Sequence, residues 1–257
     1  MPTSPKNFVW YELMTSDMDA AEAFYKAVIG WTSQAFDNPG MRYTIMSAGD
    51  SMVTGVMTLP EEARAMGGQP CWVGYIYADD VDATTESVKQ AGGKVYKAPE
   101  DIPNIGRFSV VTDPQGAMFL LFKPSEGANN PPAPMGTPGH VGWHELYTTD
   151  WSKAFEFYSQ QFGWTKDQAM DMGPMGTYQL FAAGDGAIGG MMNKPEGVPV
   201  PVWGYYFNVP AIDAAVTRVK ENGGQVLNGP MEVPGGAWIV NCMDPQHAMF
   251  SLVAPSR

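Results

Sequence analysis

The chain has 257 residues, of which 44% are hydrophobic, and a formal net charge of −12 from 15 basic and 27 acidic side chains. This length and hydrophobic content are sufficient for one or two domains with a substantial core. The acidic balance, together with the lack of any Lys/Arg run, argues against nucleic acids and anionic lipid surfaces as partners.

Cellular location is predicted from two further features of the sequence. No stretch is long and apolar enough to cross a bilayer, and the amino-terminal residues contain no apolar leader segment. Two cysteines without metal-type spacing are typical of reduced thiols. We therefore expect a cytoplasmic protein without a membrane partner.

A tryptophan and a glycine recur four times at one spacing. Each tryptophan stands 20 residues before its glycine, and the pairs are Trp10 and Gly30, Trp72 and Gly92, Trp143 and Gly163, and Trp203 and Gly223. Such self-similarity indicates four copies of one structural unit. Copies one and three resemble each other most, and copies two and four share an Asp-Pro-Gln turn. The chain is therefore predicted to consist of two homologous halves.

The first unit is predicted to run from a strand into a helix and then into three strands. Residues Phe8 to Met14 alternate as in a strand, and Asp17 is placed to cap the following helix. Apolar residues then recur at helical spacing until Gly30, which ends the helix.

The other units repeat this order. The helix of the second unit is predicted from about Asp80 to Ala91. Turn sequences that favour hairpins follow in each unit, at Ala48–Ser51, Asp113–Gly116, Ala183–Gly186 and Asp244–His247. The fold class is therefore α+β, with four βαβββ modules. Because a module's helix covers one sheet face only, the other face is expected to curve around a cavity shared by paired modules.

These modules predict two domains joined by a linker. Domain one covers residues 7–123, with modules at about 8–60 and 71–123. Domain two covers residues 140–254, with modules at about 141–192 and 202–253. Residues 124–139 between them are rich in Pro and Gly and are predicted to form an extended linker.

The repeated segments resemble one protein family. Residues 17–25 read DMDAAEAFY and residues 113–119 read DPQGAMF, and both are similar to segments of the vicinal oxygen chelate superfamily. That superfamily includes glyoxalase I, bleomycin-resistance proteins and extradiol dioxygenases, and the chain looks like its tandem two-domain glyoxalase-like members in bacteria. The resemblance implies two glyoxalase-like domains, but it leaves the activity open because this scaffold carries many chemistries.

The resemblance also implies where a divalent metal would bind. The family's ligands are His, Glu or Gln side chains that point into the cavity. The positions that correspond in this chain are Trp10, Gly55, Trp72–Gly74 and Leu120 in the first half, and Trp143, Gly190, Val202–Gly204 and Ser251 in the second. Indole, aliphatic and glycine side chains do not coordinate such ions. We therefore predict no metal site and no cofactor.

The three histidines do not change that prediction. His140 opens a strand and His247 lies in a turn. His144 has the strand parity opposite to Trp143 and Glu145, so we expect it to face the helix layer or the sheet edge.

Two glutamates are the candidate chemical groups. Strand parity places Glu12 beside Trp10 and Glu145 beside Trp143, and each carboxylate is predicted to have a raised pKa on an apolar wall. Each could act as an acid or base, or bind an amine, hydroxyl or amide of a ligand. The structural alternative is a buried ion pair, with Arg107 as the partner of Glu12, or a carboxylate that caps backbone amides. The second half has Trp238 at the position of Arg107.

Aromatic residues are the candidates for the ligand-contacting walls. Aromatic side chains suit a pocket for flat apolar ligands, although core packing is their more common role. The aromatic candidates are Trp10, Trp72, Tyr75, Trp143, Trp203, Tyr205, Tyr43, Tyr178 and Trp238, and Arg107 is the one charged candidate for the same walls.

Three functions remain open from the sequence. The first is a metal-free protein, similar to glyoxalases and bleomycin-resistance proteins, that binds a small, partly aromatic or apolar molecule. The second is an enzyme with lyase or isomerase chemistry and Glu12 or Glu145 as base, or a metal-dependent glyoxalase if metal is found. The third is a degenerate scaffold that contacts another protein. We expect a monomer with an internal pseudo-dimer, and further homodimerisation stays open.

Overall fold

The computed structural model describes residues 6–36, 41–126 and 133–257. The first half of the chain forms two βαβββ repeats. Its elements are β1 (Phe8–Thr15), α1 (Met18–Ile29), β2 (Thr32–Phe36), β3 (Tyr43–Ala48), β4 (Ser51–Thr58), α2 (Glu61–Ala65), β5 (Cys71–Tyr77), α3 (Val81–Gln90), β6 (Lys94–Ile102), β7 (Gly106–Thr112) and β8 (Met118–Pro124).

The second half repeats the pattern. Its elements are β9 (Val141–Thr148), α4 (Trp151–Phe162), β10 (Thr165–Asp171), β11 (Thr177–Ala182), β12 (Ala187–Asn193), β13 (Val202–Asn208), α5 (Ile212–Glu221), β14 (Gln225–Glu232), β15 (Trp238–Met243) and β16 (Met249–Ala254). The predicted α+β fold of four βαβββ modules is confirmed, and each predicted hairpin turn joins two of these strands.

Each half of the chain supplies one eight-stranded sheet. The strand orders are β2-β3-β4-β1-β5-β8-β7-β6 and β10-β11-β12-β9-β13-β16-β15-β14. Strands joined by hairpins are antiparallel, whereas β1 runs parallel to β4 and β9 runs parallel to β12. The parallel pairs set Glu12 opposite Gly55 and Glu145 opposite Gly190. The two glutamates therefore occupy equivalent ladder positions.

The helices begin at capping residues that the sequence partly reveals. Asp17, Asp80 and Asp150 each accept a backbone N–H of the first turn, which stabilises the helix end. The fourth long helix, α5, begins at Ala211 without a side-chain cap. Gly30 and Gly163 end α1 and α4 in the left-handed conformation that a C-terminal glycine adopts readily.

The chain divides into two compact units, and each takes residues from both halves of the sequence. One unit comprises Met1–Trp10, Gly74–Asn129 and Trp143–Trp203. The other comprises Tyr11–Val73, Asn130–Gly142 and Gly204–Arg257. A compact unit is thus not one continuous half of the chain.

An aromatic cluster forms the core of the compact unit that contains β8 and α4. The ring of Phe119 in β8 lies 5.6 Å from that of Tyr158 and 5.7 Å from that of Phe162, both in α4. Within this cluster the Tyr158 hydroxyl donates to Asp113 at 3.2 Å and accepts the indole N–H of Trp203 at 2.9 Å. Asp113 also accepts three backbone N–H groups of its own turn. Burial raises the pKa of the Asp113 carboxyl, against the opposing effect of these bonds.

The second unit contains the same arrangement with residues of the other repeats. The Tyr25 hydroxyl of α1 donates to Asp244 at 3.0 Å and accepts the indole N–H of Trp72 at 2.9 Å. Phe250 packs edge-on against Tyr25, at 5.3 Å between ring centroids. Burial again raises the pKa of the Asp244 carboxyl. Each unit thus joins a helix of one half to a hairpin of the other half.

The α-helices of the described residues have between 5 and 12 residues. Within residues 6–36, 41–126 and 133–257, none of them combines the length and the apolar character that a bilayer crossing requires.

Candidate functional site

Strand β9 separates a packed face from a more accessible face. His144, Leu146 and Thr148 are buried, whereas Trp143 and Tyr147 on the other face are half-buried. Glu145 lies between the two aromatic residues on that second face and is 7% exposed. The face that carries Trp143, Glu145 and Tyr147 is the candidate site of the second half.

His144 lies on the packed face, as strand parity predicts. Its ring stacks on Phe8 at 4.3 Å between centroids, and its Nδ1 lies 2.7 Å from the Ile188 carbonyl oxygen. Desolvation lowers the pKa of this imidazole from 6.5 to about 4. A neutral histidine in this position packs the core and does not contribute to the candidate site.

Tyr178 of β11 connects Trp143 to Glu145. The indole N–H of Trp143 donates to the Tyr178 hydroxyl at 2.8 Å. The same hydroxyl hydrogen-bonds to Glu145, and burial followed by the charge of Glu145 raises the pKa of Tyr178 well above its usual value. Tyr178 therefore stays protonated and faces the carboxylate as a donor.

The aromatic ring of Tyr178 occupies space that Gly190 leaves open. A Cβ atom added to Gly190 would lie 2.5 Å from the Tyr178 hydroxyl and nearer still to the ring carbons. Because Gly190 pairs with Glu145, the tyrosine fills the position of a side chain next to the carboxylate. Any other residue at this position would displace Tyr178.

The first half contains an equivalent set of residues. Glu12 is 3% exposed and pairs with Gly55, and a Cβ atom on Gly55 would lie 2.9 Å from Cε1 of Tyr43 and closer to its hydroxyl. Burial, and then the charge of Glu12, raise the pKa of the Cys71 thiol to about 11. Cys71 is therefore a neutral neighbour of Glu12. This proximity is not predictable from the sequence, because the two residues are far apart along the chain.

The residues at the positions of the family's metal ligands do not fit a metal ion. Gly55 and Gly190 have no ligand atom, and a tyrosine ring fills the space where a donor side chain would extend. Leu120 pairs with Tyr75 and Ser251 with Tyr206, and these positions provide no imidazole or carboxylate. Within the described ranges, no group of three or more His, Cys, Asp or Glu side chains is placed to hold a metal.

Two of the predicted wall residues lie in the cores. The indole N–H groups of Trp72 and Trp203 donate to the hydroxyls of Tyr25 and Tyr158, which places both rings in the buried aromatic clusters. The burial of these two tryptophans follows from a one-residue difference between repeats in the spacing from the tryptophan to the helix cap. The tryptophan stands seven residues before the helix cap in repeats one and three but eight before it in repeats two and four. One residue reverses the face on which a strand side chain lies.

Tyr75 has the strand parity opposite to Trp72, whereas Tyr205 stands two residues after Trp203 and has the same parity. The Tyr75 ring lies 5.8 Å from that of Phe122, and the Tyr205 ring lies 5.4 Å from that of Tyr11. Both tyrosines are buried. Tyr75 stays a candidate for the wall of a site, whereas Tyr205 lies on the strand face of Trp203.

Arg107 and Trp238 both lie beside helix amino termini. The guanidinium of Arg107 bonds to Asp82 of α3 and to Asp101, so its ion-pair partners differ from the predicted Glu12. In the equivalent place Arg257 pairs with Asp213 of α5 and stacks over the Trp238 ring at 4.8 Å. The two halves thus use different residues for one structural contact.

Comparisons with known proteins agree with this architecture. A family model described as the Glyoxalase/Bleomycin resistance protein/Dioxygenase superfamily matches residues 7–121 and again residues 137–252. CFP32 of Mycobacterium tuberculosis (strain CDC 1551 / Oshkosh), whose name assigns it provisionally to the glyoxylases, is 34% identical over 254 residues. The match covers 96% of this chain and 94% of CFP32. The anthracycline biosynthesis protein DnrV of Streptomyces peucetius is also 34% identical, over 95% of this chain and 91% of its own length.

Solved structures with low identity share the fold. The Mn(II)-bound glyoxalase from Novosphingobium aromaticivorans superposes with a TM-score of 0.66 at 19% identity, over 98% of this chain and 82% of that one. The 2,2',3-trihydroxybiphenyl 1,2-dioxygenase from Sphingomonas wittichii strain RW1 gives 0.69 at 14% identity, over 98% and 91%. The repeats, the two sheets and the double match of the family model together lead to one conclusion. The chain belongs to the Glyoxalase/Bleomycin resistance protein/Dioxygenase superfamily.

Proposed function

We propose that the chain binds a small, partly aromatic or apolar molecule without a metal ion. The observation that carries the proposal is the pair of tyrosines, Tyr43 and Tyr178, that fill the space over Gly55 and Gly190. In each half the position beside a buried glutamate is taken by a phenol ring and not by a metal-ligating side chain. Binding through aromatic faces and hydrogen bonds needs no cation.

The second half offers the more completely described binding surface. Trp143 presents a half-buried indole, and Glu145 lies two residues further along the same face. Aromatic side chains bind flat ligands with little loss of conformational entropy, and one polar group can fix the orientation of the ligand. The biosynthetic role in DnrV's name concerns small molecules, which supports a ligand of this size for the present chain.

An enzyme is the second candidate function. The observation that favours it is the contact between Glu145 and Tyr178, because a carboxylate beside a protonated phenol provides a base and an acid in one place. In such a reaction Glu145, or Glu12 in the first half, would take a proton from the substrate in a lyase or isomerase step. A scaffold without a ligand is the third candidate, and it requires neither group.

The proposal is tested by ligand binding with and without metal. Purified full-length protein is analysed for bound metal and then screened by thermal shift against aromatic metabolites, with and without a chelator. A ligand at about 100 times its Kd is expected to raise the free energy of unfolding by about 2.7 kcal/mol. Because the proposed binding needs no metal ion, the chelator should leave this stabilisation unchanged. The variants Glu12→Gln and Glu145→Gln should weaken binding. The exposed glutamates Glu61 and Glu156, changed to Gln, are the matched controls.

Three results would contradict the proposal or favour another candidate. One tightly held divalent ion per half, with binding lost on its removal, would contradict metal-independent binding. Turnover of a ligand that Glu145→Gln abolishes while binding persists would favour the enzyme. No stabilisation by any compound of the screen would favour the scaffold.

A further inference from the structure

The hydrogen bonds between Trp143, Tyr178 and Glu145 have a fixed direction. An indole N–H can only donate, so the Tyr178 oxygen is the acceptor in the 2.8 Å bond to Trp143. The single proton of the Tyr178 hydroxyl is then available for Glu145, to which this hydroxyl is bonded. The order of donors therefore runs from Trp143 through Tyr178 to the carboxylate.

This direction determines what Glu145 offers to a ligand. A carboxylate held by a phenol donor accepts hydrogen bonds and has none to give. Trp143 lies two residues away on the same strand face, and the face of an indole attracts cations. Glu145 and Trp143 therefore both favour a ligand with a hydrogen-bond donor, and a positively charged donor more than a neutral one.

An anionic ligand meets the opposite conditions. Glu145 is 7% exposed, so its charge is poorly screened by solvent, and a second carboxylate beside it is repelled. The net charge of −12 acts in the same direction at longer range.

We propose that Tyr178 is a specificity-determining residue. It holds Glu145 as a hydrogen-bond acceptor, so that the second half selects aromatic molecules with an amine or hydroxyl donor and rejects aromatic carboxylates. This inference rests on the proposed function, and it adds the chemical class of the ligand. Tyr178 acts here through Glu145, and it is therefore a positioning residue.

Three probes that share one ring system test the selection. The probes are 2-naphthylmethylamine, 2-naphthalenemethanol and 2-naphthoate, and their affinities are measured by isothermal titration calorimetry. All proteins are full-length and carry Glu12→Gln, so that Glu145 is the one candidate carboxylate of the pair. We expect the amine to bind more tightly than the alcohol, and the carboxylate to bind about tenfold more weakly than the amine, or weaker still.

Two variants separate the roles of the carboxylate and the phenol. Glu145→Gln should remove the preference for the amine, because the charge is lost while the shape is kept. Tyr178→Phe should reduce the ratio of amine to carboxylate affinity by about threefold to tenfold, as expected when a carboxylate loses a hydrogen bond that orders it. Tyr96→Phe is the matched control, because Tyr96 is 51% exposed and should leave every affinity unchanged. Urea midpoints show that each variant is folded.

The outcomes distinguish this inference from the proposed function. Binding of all three probes with equal affinity, or a preference that Tyr178→Phe leaves unchanged, overturns the inference and leaves metal-free binding intact. Failure of all three probes to bind counts against the proposed function, and the inference then falls with it.

Discussion

At the scale of single residues, the contact between Gly190 and Tyr178 leads to a stability prediction. Gly190→Ala places a Cβ atom 2.5 Å from the Tyr178 hydroxyl and forces the ring to move. We expect the free energy of unfolding to fall by about 1–3 kcal/mol, as in other overpacked cores. Urea denaturation measures the change.

The neighbouring turn supplies the control for this substitution. Gly186 lies in the hairpin before β12, and a Cβ atom there would meet no atom within 4 Å. Gly186→Ala should therefore leave the free energy of unfolding within about 0.5 kcal/mol of the wild type. Equal effects of the two substitutions would contradict the close contact at Gly190.

His144 gives a pH-dependence prediction. Its pKa is about 4 in the folded chain and 6.5 in the unfolded chain, so only the unfolded chain takes up a proton between these values. The free energy of unfolding should therefore decrease as the pH falls from 6.5 to 4, by about 3 kcal/mol from this residue. His144→Gln should remove that part of the pH dependence. Urea titrations at pH 7 and pH 4.5 compare the two proteins.

The result would contradict the prediction if both proteins lost stability equally between these pH values. Burial lowers the pKa of His144 and the bond to the Ile188 carbonyl raises it, and neither effect involves a charged group.

The buried carboxyls Asp113 and Asp244 change the free energy of unfolding with pH in the opposite direction to His144. Their raised pKa values favour the folded chain at low pH, and that contribution is lost as the pH rises through the folded pKa.

Some residue positions are predictable from the sequence and others are not. Alternation along β9 was sufficient to place His144 on the packed face, because strand side chains alternate regardless of context. The bond from Trp143 to Tyr178 was not predictable, since it joins two strands whose register only the folded sheet defines. The effect of the Glu12 charge on Cys71 is not predictable from the sequence for the same reason.

At the scale of secondary-structure elements, the helix caps explain why Trp72 and Trp203 lie on the opposite strand face to Trp10 and Trp143. The sequence contains an acidic residue seven positions after the first three tryptophans and Pro210 at that position after the fourth, which leaves the register of the repeats open. In the second repeat the cap is Asp80 and not Asp79, one position later. Two adjacent acids made the two registers indistinguishable by spacing. The structure separates them through the bond from Ala83 N–H to Asp80.

The uncapped start of α5 leads to a stabilising substitution. Ala211 has the extended backbone of a capping residue, at φ −148° and ψ 134°, but no side-chain acceptor. Ala211→Ser should raise the free energy of unfolding by about 0.5–1 kcal/mol, because its hydroxyl accepts a free N–H of the first turn. Thermal or urea denaturation measures the gain.

Matched variants show whether the gain comes from capping. Ala211→Val adds a side chain without an acceptor and should give no gain. Asp17→Ala removes a cap that accepts the Ala20 N–H at 3.0 Å and should lower stability by about 1 kcal/mol. A gain from Val equal to that from Ser would mean that added apolar contact, and not capping, is responsible.

At the scale of the whole molecule, the compact units do not coincide with the sequence halves. Phe119 belongs to the first half but packs on Tyr158 and Phe162 of α4 in the second half. Phe119→Ala should lower stability by about 3–5 kcal/mol and accelerate amide hydrogen exchange in α4, Trp151–Phe162. Hydrogen exchange resolved by mass spectrometry measures this effect.

The equivalent substitution in the other unit is the control. Phe250 belongs to the second half and packs on Phe24 and Tyr25 of α1. Phe250→Ala should accelerate exchange in α1, Met18–Ile29, more than in α4. Faster exchange mainly in the helices of the substituted half would contradict compact units that take residues from both halves of the sequence.

Two tyrosine–aspartate hydrogen bonds connect the first half of the chain to the second. Tyr25 in the first half donates a hydrogen bond to Asp244 in the second, and Tyr158 in the second half donates one to Asp113 in the first. Loss of either tyrosine hydroxyl removes a hydrogen bond from a buried carboxyl in the other half of the chain, which then keeps only the backbone N–H groups of its own turn. The packing of a turn in one half therefore depends on a tyrosine in the other, so a substitution at one of these positions has its effect on stability in the opposite half of the sequence.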